Sequence, residues 1–276
     1  MRQDACLLIG VLALLVSSCK QKKLNSFNKS HLQKEYQLEW SDEFDYTGLP
    51  DSTKWLYDTE GNSKGWGNHE LQHYTNARKD NAWVENGVLH IAALQENIEG
   101  KEYSSARLNS KADWLHARIE VRAKLPDGRG TWSAIWMMPA DWSFNDGNWP
   151  NIGEIDIMEH VGHEAGVIHA SAHSKDHQWQ KGTQKTASIQ IADATKEFHT
   201  YILDWSEDVM KCYVDEHLYF EYKNEGMGES KWPYTKAFYL ILNLAIGGTW
   251  GSVQGIDKQA FPQIMEVDYV RVYQKR

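Results

Sequence analysis

The chain has 276 residues, 41% of them hydrophobic and 24% charged, a globular composition at a length that suits one large domain or two small ones. A chain of this size buries a substantial core without disulfide staples, and a formal net charge of −9 excludes the basic footprint that nucleic-acid binding needs. Thirteen Trp and thirteen Tyr stand beside only seven Phe, a balance that favours half-wet surfaces because both residues join a flat apolar face to a polar handle. Sugar rings, with apolar C–H faces edged by hydroxyls, stack well on such platforms, although about half of the Trp are expected in the core.

The amino terminus reads as an address. A polar lead containing Arg2 precedes the apolar run Leu7 to Val16, too short for a spanning helix of about 20 residues but of the right length for a signal-peptide core. Val16-Ser17-Ser18 then leads into Cys19. This arrangement resembles a bacterial lipobox, in which Cys19 carries lipid and becomes the first mature residue; the alternative is an ordinary signal peptide with an incidental cysteine. Lys20 to Glu35 follows as a polar tether with five Lys and one Glu, and such a segment needs no fold. Residues 1–18 are therefore expected to be the signal, 19–35 the lipidated cysteine and tether, and 36–276 the folded domain. The tether's +4 set against the whole chain's −9 leaves −13 on the remainder. Once Cys6 and Cys19 are set aside only Cys212 remains, so no internal disulfide is expected; in the strand-like Met210 to Val214 it reads as a small buried apolar residue.

From residue 36 onward the apolar pattern has period two. His116 to Leu125 alternates without a break, apolar at odd positions, as a strand with one wet face does. Val88 to Ala93 and Tyr269 to Tyr273 also read as strands. Phe238 to Ile246 is a continuous apolar run closed by Gly247-Gly248, as in a central strand covered on both faces. Turn signals at Asp127-Gly128 and Asn145 to Asn148 separate such runs. With no long amphipathic helix and no fixed-period repeat, the pattern predicts one all-β sandwich.

Gly153-Glu154-Ile155-Asp156-Ile157-Met158-Glu159-His160-Val161-Gly162 is the most informative stretch. Alternate strand residues share a face, so Glu154 and Asp156 point the same way. A regular strand puts the next acid at 158; a β-bulge restores the phase for Glu159, and bulges concentrate near active sites. Retaining glycoside hydrolysis needs one ionised and one protonated carboxyl about 5–5.5 Å apart, and long glutamate side chains leaning inward can close a backbone gap of roughly 13 Å. Asp156 between them raises its neighbours' proton affinity and can share a hydrogen bond with the nucleophile. The competing reading of this spacing is a solvated acidic strand edge.

The stretch GEIDIMEHVG resembles the Glu-x-Asp-x-x-Glu signature of glycoside hydrolase family 16, and most closely its laminarinase-like endo-β-1,3-glucanases. The segments WSDEFDYTGLPDSTKW, GWGNHELQHYT, AWVENGVLHIAA, SARLNSK, GTWSAIWMMP, LILNLAIGGTWG and MEVDYVRVYQ occur in the family's order and extend the similarity over nearly all of residues 36–276. The resemblance implies a jelly-roll β-sandwich of two antiparallel sheets with a concave substrate cleft. It implies an endo-acting hydrolase of β-1,3-glucan, with Glu154 as nucleophile, Asp156 as its helper and Glu159 as general acid/base. Trp132 and Trp136 are implied sugar platforms, four apart and so on one strand face. Asn68, Arg107 and His173 match sugar-contacting positions, although Ala172-His173-Ser174 departs from the family's Leu-His-Trp, and Trp250 is expected to border the donor side. No organic cofactor is required. A structural Ca²⁺ held by Glu43, Gly87 and Asp268 is implied as well, and oxygen ligands suit that ion; the alternative is that these are surface polar groups without a metal. The expected setting is a bacterial cell envelope, periplasmic or at the outer-membrane surface, with a β-glucan polysaccharide as partner, the membrane reached through the lipid anchor, and the protein acting as a monomer.

Other readings compete. Mixed-linkage glucan or algal galactan fits the same acids, and a jelly roll can serve as a carbohydrate-binding module, since fold alone does not settle function. His69-Glu70-Leu71-Gln72-His73 matches the zinc-peptidase pattern H-E-x-x-H, which requires a helix to stack both imidazoles and a third ligand. The flanking Gly65-Trp66-Gly67-Asn68 is a poor setting for one.

Overall fold

The computed structural model describes residues 35–143 and 148–276; the expected signal, Cys19, nearly all of the tether and most of the Asn145 to Asn148 turn lie outside the described residues. In chain order the strands are β1 (Tyr36–Asp42), β2 (Trp55–Tyr57), β3 (Gln72–Tyr74), β4 (Ala82–Glu85), β5 (Val88–Ile98), β6 (Lys101–Ser105), β7 (Arg107–Trp114), β8 (Arg118–Lys124) and β9 (Thr131–Pro139). They continue as β10 (Glu154–Val161), β11 (Val167–His173), β12 (Lys185–Gln190), β13 (His199–Trp205), β14 (Val209–Val214), β15 (His217–Lys223), β16 (Phe238–Ile246) and β17 (Gln263–Lys275). No helical segment among the described residues exceeds five residues, and none is long and apolar enough to cross a membrane.

The strands form a jelly-roll sandwich. One sheet has ten strands, with β15-β14-β13-β8-β17-β5-β6-β3 as its path, β1 on β17 and β4 on β5; the other has seven, in the order β12-β11-β10-β9-β16-β7-β2. Pairing is antiparallel apart from β3 with β6. The alternation read at 116–125 appears directly in β8, where Ile119, Val121 and Ala123 are buried and the residues between them are half-buried. The expected strands at 88–93 and 269–273 fall within the longer β5 and β17. Phe238 to Ile246 forms β16, flanked by β7 and β9. Leu240, Leu242, Leu244 and Ile246 enter the core, while Ile241, Asn243 and Ala245 are also buried, which is why the run shows no alternation.

The two sheets meet over one apolar layer that includes Ile135, Met137, Ile155, Ile157, Val121, Leu203 and Val270. Cys212 is fully buried in it and free, and burial raises its thiol pKa far above the ordinary range. The opening segment is tied down by Asp42, which is buried. Its carboxylate accepts hydrogen bonds from the Trp55 indole at 2.8 Å, the Tyr46 hydroxyl at 3.2 Å and the Phe44 amide at 3.2 Å. Buried polar groups of this kind are retained only when satisfied.

The indoles divide between core and cleft. Trp55, Trp114, Trp205 and Trp232 are buried, whereas Trp66, Trp132, Trp136, Trp142, Trp149, Trp179 and Trp250 line a single cleft. The core is closed mainly by aliphatic side chains with the four buried indoles, and the larger share of the indoles faces the cleft.

Glu43, Gly87 and Asp268 lie on or beside the ten-stranded sheet. Glu43 makes a two-pronged pair with Arg271 at 2.9 and 2.6 Å, and Asp268 pairs with Arg122 at 2.5 Å. The Arg271 bond holds the Glu43 carboxyl below its usual range. Carboxylates engaged by guanidinium groups are a poor fit to a calcium cage, which draws on free oxygen lone pairs. Dialysis against a chelator is therefore expected to leave the thermal midpoint unchanged. A fall of several degrees, reversed by added Ca²⁺ and by no monovalent salt, would restore the cation site.

Candidate active site

The acidic motif begins and ends on glycines that the packing demands. Gly153 has φ +90°, and a Cβ there would lie 3.0–3.2 Å from Pro233, Tyr234 and Phe238. At Gly162 a Cβ would lie 1.9 Å from the Gly128 carbonyl oxygen. Between them runs β10, whose register against β9 passes from Asp156↔Trp136 to Met158↔Ile135, leaving Ile157 as an extra residue. The same irregularity interrupts its pairing with β11. Ile157 and Met158 are both fully buried in the core, so the bulge turns Glu159 back to the face that carries Glu154 and Asp156. The Tyr219 hydroxyl, from β15 in the other sheet, donates to the Ile157 carbonyl at 2.7 Å and holds the bulge from beneath.

The acids gather on the outer face of the seven-stranded sheet. Glu154 and Glu159 line the cleft, which has a volume of about 900 Å³, and Asp156 sits between them, 2% exposed. The Trp149 indole donates to Glu154 Oε2 at 2.6 Å, and the Trp132 indole donates to Glu159 Oε1 at 3.0 Å. Asp156 shares a hydrogen bond with Glu154. His173 Nε2 lies 3.2 Å from Asp156 Oδ2 and 3.9 Å from Glu154 Oε1. Burial, and then the charge of Asp156, push the Glu154 carboxyl up to about 7, against the pull of His173 and the Trp149 bond. Burial pushes Asp156 up to about 8, with the Glu154 hydrogen bond opposing. Burial followed by the Asp156 charge holds Glu159 well above the carboxylate range. Close, desolvated like charges cannot all ionise, so the cluster keeps at least one proton near neutrality and titrates as a unit. It can supply one acid and one carboxylate on the same face.

A second polar network lies under the platforms. The Trp136 indole donates to Asn243 Oδ1 at 2.7 Å, and Asn243 Nδ2 donates to the Tyr74 hydroxyl at 3.0 Å. The Tyr74 hydroxyl and Gln72 Nε2 both donate to Glu70 Oε2, at 3.5 and 2.6 Å. Asn68, at the cleft wall, donates to Glu70 Oε1 at 3.4 Å. Burial pushes the Glu70 carboxyl up to about 7.

Of the residues expected to touch sugar, Asn68, Trp132, Trp136, His173 and Trp250 line the cleft. Arg107 does not. It is 3% exposed, its guanidinium lies 4.9 Å from the Trp66 ring and 4.8 Å from the Trp136 ring, and it pairs with Asp58 at 3.0 Å. It supports both indoles from beneath. Trp250 packs edge-on against Trp132 at 5.5 Å and against His169 at 4.8 Å.

The H-E-x-x-H pattern is not on a helix. Trp66, Gly67 and His69 have positive φ, His73 lies in β3, and Glu70 is spent in the buried network. The imidazoles therefore cannot stack as peptidase ligands do. Among the described residues the trio of metal-ligating side chains that lies close together is Glu154, Asp156 and His173.

Sequence reasoning missed Trp149, Asn243 and Tyr219. Asn243 had a signal, as the lone amide in an otherwise apolar run. Trp149 and Tyr219 had none, because their partners are made by a loop and by the opposite sheet.

Residues 69–271 match the sequence profile of Glycosyl hydrolases family 16. The chain is 48% identical over 253 residues to a β-glucanase of Rhodothermus marinus, covering 89% of this chain and 88% of that one. The X-ray structure of the laminarinase from Rhodothermus marinus superposes with a TM-score of 0.84 at 48% identity, covering 87% of this chain and 98% of that one. A non-specific endo-β-1,3(4)-glucanase of the same family superposes at 0.82, also at 48% identity, covering 88% and 92%. With this similarity along its length, and with the acid cluster standing on a bulged strand beneath a cleft of indoles, the chain belongs to glycosyl hydrolase family 16.

Proposed function

We propose that this protein is an endo-acting, retaining β-glucanase that cuts β-1,3-linked glucan of the laminarin type. The observation that carries the reading is geometric: Glu154, Asp156 and Glu159 are gathered on one face of a bulged strand, with both glutamates lining the cleft and Asp156 buried between them. In the proposed reaction, protonated Glu159 gives its proton to the leaving glycosidic oxygen while ionised Glu154 attacks the anomeric carbon. Glu159, now a base, takes a proton from water, which releases the sugar from Glu154. The Trp132 bond engages Oε1 of Glu159, which leaves Oε2 to carry the transferred proton. Asp156, which shares a hydrogen bond with Glu154, is placed to steady that carboxyl as it leaves in the second step. Trp132, Trp136 and Trp250 offer faces for the sugar rings, with Asn68 and His173 beside them. Relatives named β-glucanase and laminarinase support the substrate class. A mixed-linkage activity is the second reading, favoured by the equally similar non-specific endo-β-1,3(4)-glucanase.

For the amino terminus, the proposal is that Cys19 is lipidated and that residues to Glu35 tether a monomeric catalytic domain to the cell envelope. The apolar run ending in Val16-Ser17-Ser18-Cys19 supports it.

Three outcomes test these readings. Laminarin digestion followed by anomer-resolved NMR is expected to show the β product first with the wild type. Glu154→Gln should lose about a thousandfold or more in kcat while still binding the polymer; an initial α product or near-normal turnover by the variant rejects the assignment. The second concerns pH. Folded Glu154 holds its proton up to about 7 against an ordinary 4.5, so between these values the folded state binds more protons than the unfolded one. Stability is full below the lower value and falls as pH rises through the upper one. Thermal melts across this range should show Glu154→Gln equal to wild type in acid and several degrees more stable above neutrality; parallel curves would refute the desolvated carboxyl. Third, Cys19→Ala should move the expressed protein from the membrane fraction to the soluble fraction, and unchanged fractionation would discard the anchor.

A further inference from the structure

The loop between β11 and β12 carries an indole that the proposed chemistry leaves unused. Trp179 is 50% exposed, in a short 3₁₀ turn over Trp179–Lys181, yet it lines the same cleft as Glu154 and Glu159. Tryptophan is among the residues least often left in water. One exposed apolar side chain means little by itself, but three further observations give this one a purpose.

First, the loop is cross-braced by hydrogen bonds. Gln178 Nε2 donates to the Lys175 carbonyl at 2.7 Å, and the Thr183 hydroxyl donates to the Asp176 carbonyl at 2.7 Å. The Gly182 amide closes the turn onto the Trp179 carbonyl at 2.9 Å. Asp176 is anchored to Ser230 through both its amide, at 2.9 Å, and its carboxylate, at 2.8 Å. A platform held in place before binding loses little entropy when it binds. Second, the neighbouring cleft wall is uncharged and polar, built from Gln180, Gln184 and Thr186. Gln184 lines this wall with its amide oxygen turned inward, buried and without a hydrogen-bond partner among the described residues, so Gln180 and the rest of the Gln184 side chain are what the wall offers to the cleft. Third, the sheet order places this loop on the far side of β10 from β16 and β7, one to two strand spacings (roughly 5–10 Å) from the catalytic strand. Asn68, Trp66 and the Arg107-backed rings occupy the other arm of the cleft.

We infer that Trp179 is the stacking platform of a distinct glucosyl subsite on the β11–β12 arm, with Gln180 offering its amide to the ring's hydroxyls and Gln184 beside it. The subsite rests on the glucanase reading above and deepens it. It makes cleavage depend on chain length on that side of the scissile bond, so that long chains are gripped on both sides and short ones on one.

The test measures kcat and KM on β-1,3-linked and mixed-linkage gluco-oligosaccharides of increasing length, for wild type, Trp179→Ala and Trp179→Phe, with thermal melts of all three. Trp179→Ala is expected to raise KM about tenfold on the longest members, equivalent to about 1.4 kcal/mol of binding, and to stay within about twofold of wild type on the shortest member cleaved. Trp179→Phe should recover most of the difference, with all three melts alike. An equal loss at every length, or no loss at any, overturns the subsite while leaving the glucanase reading intact. A wild type inert on both series overturns that reading and the subsite with it.

Discussion

The site depends on one constraint: acidic side chains held close together and largely shielded from water on one face of one strand. Water would screen their repulsion and leave each carboxyl at its ordinary affinity for protons. Desolvation removes the screening, so the charged forms become costly and the group as a whole retains protons near neutrality. The fold meets that cost with directed donors and a single imidazole. The indoles of Trp149 and Trp132 each give one hydrogen bond to one glutamate, and His173 faces Asp156 and Glu154. A lysine or arginine in the same place would have returned the carboxyls to full ionisation and removed the acid the reaction needs.

That arrangement explains the bulge. In a regular strand either Met158 or Glu159 would face the wrong layer. Inserting Ile157 sends two consecutive apolar side chains into the core and brings the next acid to the cleft. The irregular backbone is secured from the opposite sheet by Tyr219, so a catalytic detail on one sheet is linked to packing on the other. The glycines at both ends of the motif serve the same end, since Gly162 has no room for a side chain and Gly153 combines a positive φ with tight contacts.

The indoles show a division of labour. Aliphatic residues close most of the core, and most of the tryptophans line the cleft, where Trp132, Trp136 and Trp149 supply a hydrogen-bond donor as well as a ring. Trp132 illustrates the double use, lining the cleft while its N–H binds Glu159. Beneath them, Arg107 and the chain from Trp136 through Asn243 and Tyr74 to Glu70 keep the platforms from tilting. Buried, nearly satisfied networks of this kind rigidify a site at the expense of tolerance to substitution.

By itself the amino-acid order determined the all-β class, the alternating faces of β8, the covered central strand and the phase break at Glu159, because each follows from local periodicity of two and its single exception. It also pointed to Trp132 and Trp136 as a pair on one face. Only the tertiary structure decided that Arg107 lies beneath the platforms instead of facing the cleft, that Glu43 and Asp268 are engaged by Arg271 and Arg122, and that the H-E-x-x-H residues run through a left-handed turn into a strand. Trp149, Tyr219 and Trp179 likewise acquired their places from loops and from the second sheet. The reason is physical: strand periodicity is set by neighbours along the chain, whereas desolvation, ion pairing and hydrogen-bond partnership are set by residues that only packing brings within a few ångströms.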